Sequence, residues 1–70
     1  MQTFSLAGHS FIALNHLLKI EGWVESGAVA KLVIANGDVM VDGNVELRKR
    51  CKIISGQVVS FADQAIRVVD

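Results

Sequence analysis

At Gly37 the apolar residues of this chain change period. Before it, Phe11, Leu14, Leu17 and Leu18, and then Val29, Ala30, Val33 and Ile34, recur three and four positions apart. That spacing lines one face of a helix. After it, Val39 and Val41 stand two apart, and Asp42-Gly43 and Ser55-Gly56 supply turn dipeptides between short apolar runs. Short helices followed by short strands cannot each bury an apolar face alone. They must cover one another in layers.

The boundaries follow from local chemistry. Thr3-Phe4-Ser5-Leu6 alternates polar and apolar residues and reads as a strand ending near Gly8. A first helix is predicted over roughly residues 10–20, with Ser10 as its N-cap and Gly22 at its stop. Ser26 caps a second helix, and Gly37 supplies its left-handed end. A hairpin follows at Asp42-Gly43, then a strand from Gln57 to Phe61. Residues 62–64 lead into a last strand over roughly residues 65–69. The predicted class is α+β: a helix pair packed on a small, mostly antiparallel β-sheet.

Seventy residues allow one domain and no second core. An apolar content of 51% argues for a folded globule. One cysteine, Cys51, permits no internal disulfide, which points to a reducing, cytoplasmic setting. No apolar run approaches the roughly 20 residues of a membrane span. The first residues lack the charged start and long apolar run of a secretory signal. With no Tyr and a single Trp, binding a nucleic acid chiefly by stacking bases is disfavoured.

Catalysis has little to stand on. His9 and His16 have no partners at metal-ligand spacing and read as surface or boundary histidines. The acids, Glu46 among them, are scattered, and Asp38 and Asp42 are accounted for by turn chemistry. Cys51 reads as a small side chain set among cations.

Charge is where the chain departs from the ordinary. Arg48, Lys49, Arg50 and Lys52 place four of its seven Lys and Arg residues within five positions, on a body of net charge zero. In an extended segment Arg48, Arg50 and Lys52 share one face, with Lys49 and Cys51 on the other. Three like charges on one face suit an anionic partner. The plainer reading is a charged edge strand that resists edge-to-edge pairing. The start of the second helix offers another anion seat. Ser26 and Gly27 lie at the positive end of the helix dipole, where backbone N–H groups are free, and Lys31 lies one turn on. An ordinary capped helix with a solvated lysine explains the same residues.

Taken in order, Leu17-Leu18-Lys19, Glu25-Ser26-Gly27, Ala30-Lys31, the Gly37-x-Val39-x-Val41-Asp42-Gly43 run, Arg48-Lys49-Arg50-Cys51-Lys52-Ile53 and Gly56 resemble the stand-alone αL-motif RNA-binding domain. That fold is shared with the ribosomal protein called S-four, and the pattern is similar to the small bacterial YbcJ-like family. The resemblance spans roughly residues 11–61, with the N-terminal strand and Trp23 also in keeping. It implies that the two helices and the following hairpin form the αL unit. It also implies a basic surface that binds structured RNA, often ribosomal or transfer RNA, without chemistry. By position, Arg48, Lys49, Arg50, Lys52, Lys31, Ser26 and Gly27 carry that contact, with Lys19 as a further helper.

Two departures from the family pattern stand out. Asp42-Gly43 replaces a common Asn-Gly, and Leu32 stands where larger members carry Arg; both predict weaker phosphate binding. The expected partner is structured RNA, with the ribosome as one setting. No cofactor, small-molecule substrate or membrane is expected, and the domain is expected to be a monomer. A protein adaptor docking an acidic partner and a ribosome-associated stress factor are the alternatives. Trp23 is left between a core role and base stacking.

Overall fold

The computed structural model describes residues 1–70. Strands β1 (Gln2–Ser5) and β2 (Ile12–Ala13) precede helices α1 (Leu14–Ile20) and α2 (Gly27–Ala35). Then come β3 (Val39–Val41), β4 (Asn44–Val45), β5 (Lys52–Ile53), β6 (Val58–Phe61) and β7 (Gln64–Val69). Two helices pack on a five-stranded sheet of order β1-β7-β6-β3-β4, while β2 and β5 form a separate two-stranded ribbon. Every pairing is antiparallel except that of β1 with β7, which run parallel with Gln2 opposite Ile66. The chain is α+β on a mostly antiparallel mixed sheet.

Both helices end as their glycines predict. After α1, Gly22 (φ 73°) donates to the Lys19 carbonyl and Trp23 to that of Leu18. After α2, Gly37 (φ 83°) donates to the Ile34 carbonyl and Asp38 to that of Val33. These paired bonds form a Schellman stop, which takes up carbonyls that a helix end leaves orphaned. Trp23 is the second residue past the α1 cap, a position whose apolar side chain folds back toward the last turn. It is half-buried and packs against the core.

The start of α1 differs from the expectation. Ser10 does not cap it; the cap is Ala13, which has no side-chain acceptor, and the helix begins at Leu14. Residues 12 and 13 are extended instead and pair with β5, Ile12 opposite Ile53 and Ala13 opposite Lys52. The first N–H groups of α1 still need acceptors. They find them in a distant segment: Leu14 donates to the Cys51 carbonyl (2.8 Å) and Asn15 to that of Lys49 (3.1 Å). Helix α2 is conventional, with Ser26 Oγ accepting from the Val29 N–H at 3.2 Å.

The core lies between the helices and the sheet. Leu14, Leu17 and Leu18 of α1 and Ala30 and Ile34 of α2 join Val39, Val59, Ile66 and Val68 of the sheet in one cluster, all essentially inaccessible to water. Fifteen side chains are buried and none is polar or charged. The interior therefore carries no desolvated charge, and each large aliphatic side chain contributes about 2 kcal/mol of burial. The hairpins fix the register. Asp42 (φ 52°) and Gly43 (φ 82°) form the left-handed pair between β3 and β4. The Asp42 carboxylate accepts from the Val58 N–H at 2.9 Å, which ties this turn to the start of β6.

Candidate nucleic-acid interface

The segment from Arg48 to Lys52 is a turn, not an extended strand. The Cys51 N–H donates to the Arg48 carbonyl, and only Lys52 enters a strand, β5. The expected alternation of faces is replaced accordingly. Arg48, Arg50 and Lys52 still surround one shallow depression, which Cys51 also lines. Lys49 shares the turn and is exposed. Because the carbonyls of Lys49 and Cys51 accept from the first turn of α1, the basic turn is fixed to a helix by its backbone. A positively charged patch so mounted loses little order when an anion binds.

Glu46 organises the turn, although in the sequence it is only one of several scattered acids. Its carboxylate takes a two-pronged ion pair from Arg48, Nε to Oε2 and Nη2 to Oε1, each 3.0 Å. The Arg48 backbone N–H donates to the same group at 2.9 Å. Parallel N–H···O bonds of this kind are the strong form of a carboxylate–guanidinium contact. The side-chain bonds from Arg48, followed by the Arg48 backbone bond, hold the Glu46 carboxyl at about 2, well below its ordinary 4.5. The Arg48 guanidinium is pushed the other way, chiefly by its bonds to Glu46. The one sequence signal is an acid two residues before a run of cations, a spacing that a turn can close.

The Cys51 thiol sits against this pair. Arg48 Nη2 lies 3.4 Å from Sγ, and Sγ lies 3.5 Å from Glu46 Oε1. Burial raises its pKa first, and the Glu46 charge raises it further. A thiol held protonated in this way is inert, despite its cationic neighbours.

The remaining candidates are distributed. Gly27 and Lys31 lie four apart on α2 and share a face. The Ser26 hydroxyl is occupied by its cap bond, whereas the Gly27 and Ala28 N–H groups make no bond within the chain. Lys31 is half-buried, and Leu32 beside it is exposed. Lys19 lies in the last turn of α1, at the end away from the basic turn, where a cation complements the helix dipole. The structure thus gathers Arg48, Lys49, Arg50 and Lys52 on one turn and places Ser26, Gly27 and Lys31 at one helix. Lys19, in the last turn of α1, stands apart from the basic turn.

Phe11, expected on the apolar face of the first helix, lies outside that helix and is exposed. The Lys52 ammonium is 4.9 Å from its ring centroid. Asn15, in the turn of α1 bound to Lys49, keeps a shielded side-chain oxygen with no partner in the chain.

The chain is similar to known proteins in both sequence and fold. A model of the S4 domain family matches residues 4–69. The YbcJ protein of Escherichia coli (strain K12) is 61% identical over 69 residues, covering 99% of each chain. YbcJ of Shigella flexneri matches to the same extent. The solution structure of YbcJ from E. coli, described as revealing an αL motif involved in RNA-binding, superposes with a TM-score of 0.76 at 60% identity. That match covers 100% of this chain and 89% of the other. With its helix pair, hairpin and mixed sheet matched in both sequence and shape, the chain belongs to the S4-domain family.

Proposed function

We propose that this protein binds structured RNA, ribosomal or transfer RNA being the class, through the basic turn and without catalysing a reaction. The observation that carries the reading is the turn itself: four cations on five positions, backbone-fixed to α1, three of them around one depression. Arg50, Lys49 and Lys52 hold phosphates outright, and Arg48 joins them while keeping Glu46 as a counter-ion. The free N–H groups at the start of α2, with Ser26 shaping the turn and Lys31 on the same face as Gly27, seat one further phosphate. Lys19 adds long-range attraction only. The likeness to YbcJ supports RNA over DNA. The cytoplasm is the setting proposed, with the ribosome as one place where such RNA is presented to a monomeric domain.

Because Glu46 offsets one of the four turn cations, about four phosphates are neutralised in all, Lys31 included. On irregular RNA that gives a log–log slope of affinity against salt of roughly −3. Arg48→Ala combined with Arg50→Ala removes RNA binding and leaves the domain folded, since both side chains are exposed. A flat salt dependence, or full RNA retention by the double variant, refutes the reading. Co-sedimentation with ribosomal subunits, with and without nuclease, distinguishes RNA held on the ribosome from an acidic protein partner.

A further inference from the structure

A second feature adjoins the basic turn. After β1 the chain reverses through a left-handed pair, Ala7 (φ 52°) and Gly8 (φ 89°), closed by the His9 N–H donating to the Leu6 carbonyl. This reversal brings Phe4, His9 and Phe11 alongside His16 and Ile20, which are one turn apart on α1. Together they line a groove of about 490 Å³. That volume lies within the roughly 300–1,000 Å³ of small-ligand sites. Its walls are mostly apolar, and no Asp or Glu lines it. Ile20 is 50% exposed there and Phe11 40%, so apolar surface is left facing water.

The groove and the cationic depression are joined at one point. Lys52 lines the depression, its ammonium lies over the Phe11 ring, and Phe11 lines the groove. An occupant must therefore suit an aromatic wall and two imidazoles on one side of Lys52 and phosphate-binding cations on the other. A nucleotide has that construction. Its base offers a flat face to an aromatic ring and a polar edge to histidine nitrogens, which can donate or accept. Its phosphate lies on the turn. An aliphatic side chain of a protein would use the apolar walls and leave the imidazoles and cations without purpose.

We propose that this groove takes one unstacked base of the bound RNA, from a bulge or loop, stacking it against Phe11 with His9 and His16 at its edge. The inference rests on the RNA-binding reading above and adds a base subsite to its phosphate contacts. Proteins that read single-stranded positions stack bases in this manner. A single such subsite is compatible with a chain poor in aromatic residues.

The test uses a short RNA hairpin carrying one unpaired nucleotide, prepared with adenosine, with 2-aminopurine or with an abasic residue there. The abasic RNA should bind wild-type protein about fivefold or more weakly. Phe11→Leu, which keeps apolar volume but removes the ring, should weaken binding of the adenosine RNA similarly and leave the abasic RNA unaffected. The salt slope should be the same throughout, and 2-aminopurine fluorescence should be quenched by wild type and not by Phe11→Leu. Thermal unfolding of Phe11→Leu verifies that the variant folds. Equal binding of abasic and intact RNA with the steep salt slope retained overturns the base subsite and spares the phosphate contacts. No salt-dependent binding of any of these RNAs overturns both. A concentration-dependent dimer abolished by Ile20→Ser assigns the groove to a second copy and also overturns the proposal.

Discussion

Replacing Glu46 with Gln should make this protein less stable and a tighter binder of RNA. In the folded state the Glu46 carboxyl titrates at about 2 in place of 4.5 because Arg48 bonds to its charged form. A carboxylate lowered in this way stabilises the fold above pH 4.5, and that contribution is lost as the pH falls through about 2. The Arg48 side chain is 77% exposed, so solvent screening limits the contribution of Glu46 to about 1 kcal/mol. For a domain of this size that is a fall of about 4–8 °C in the thermal midpoint. Gln keeps an acceptor for the Arg48 backbone N–H, so the turn should retain its path. Binding moves the other way. The turn now carries four positive charges against Glu46, and removing that carboxylate frees the whole of Arg48 for a phosphate. The salt slope should steepen by about 0.7, with affinity near fivefold higher at low salt, the equivalent of about 1 kcal/mol. Fluorescence anisotropy with labelled RNA across a salt series measures both quantities, and circular dichroism across acid to neutral pH measures the stability. Weaker binding at an unchanged slope would overturn this expectation. Glu46 would then act by ordering the turn and not by screening its charge. Equal acid sensitivity of wild type and variant would refute the stability half.

Other consequences are more local. Ser26→Ala removes the bond to the Val29 N–H and should cost about 1 kcal/mol in urea unfolding. Ala62 occupies a left-handed position (φ 56°) between β6 and β7, so Ala62→Gly should raise stability by about 0.5–1 kcal/mol in the same assay, the relieved strain exceeding the added freedom of the unfolded chain. The Cys51 thiol, buried and raised in pKa, should react slowly with a disulfide reagent at neutral pH and at an ordinary rate in denaturant. Equal rates in the two conditions would show that the thiol is open in the folded protein.

Helix α2 and the β3–β4 hairpin were legible because their signals are contiguous. Ser26, the apolar residues at 29, 30, 33 and 34, and Gly37 lie within one stretch and act on one another directly. Asp42-Gly43 adopts the left-handed pair that its residue types favour. The class, a helix pair on a mostly antiparallel sheet, followed from the change of period at Gly37. The β6–β7 hairpin was also bounded to within a residue at each strand start, although Ala62 in its turn takes up a left-handed conformation that its type does not advertise.

Where cations concentrate, how both helices stop and which residues are apolar enough to form the core can be read from the chain alone. Each depends on residue type or on neighbours a few positions away. Where α1 begins is set by long-range contacts, because its first N–H groups are satisfied by carbonyls at Lys49 and Cys51, far along the chain, and not by Ser10. The same bonds turned residues 48–52 from an expected strand into a mounted turn. Closing that turn brought Glu46 onto Arg48 and set Lys52 over Phe11. Hydrogen bonds between distant segments leave no periodic trace in either one, so the charge of the site could be read in the sequence and its shape could not.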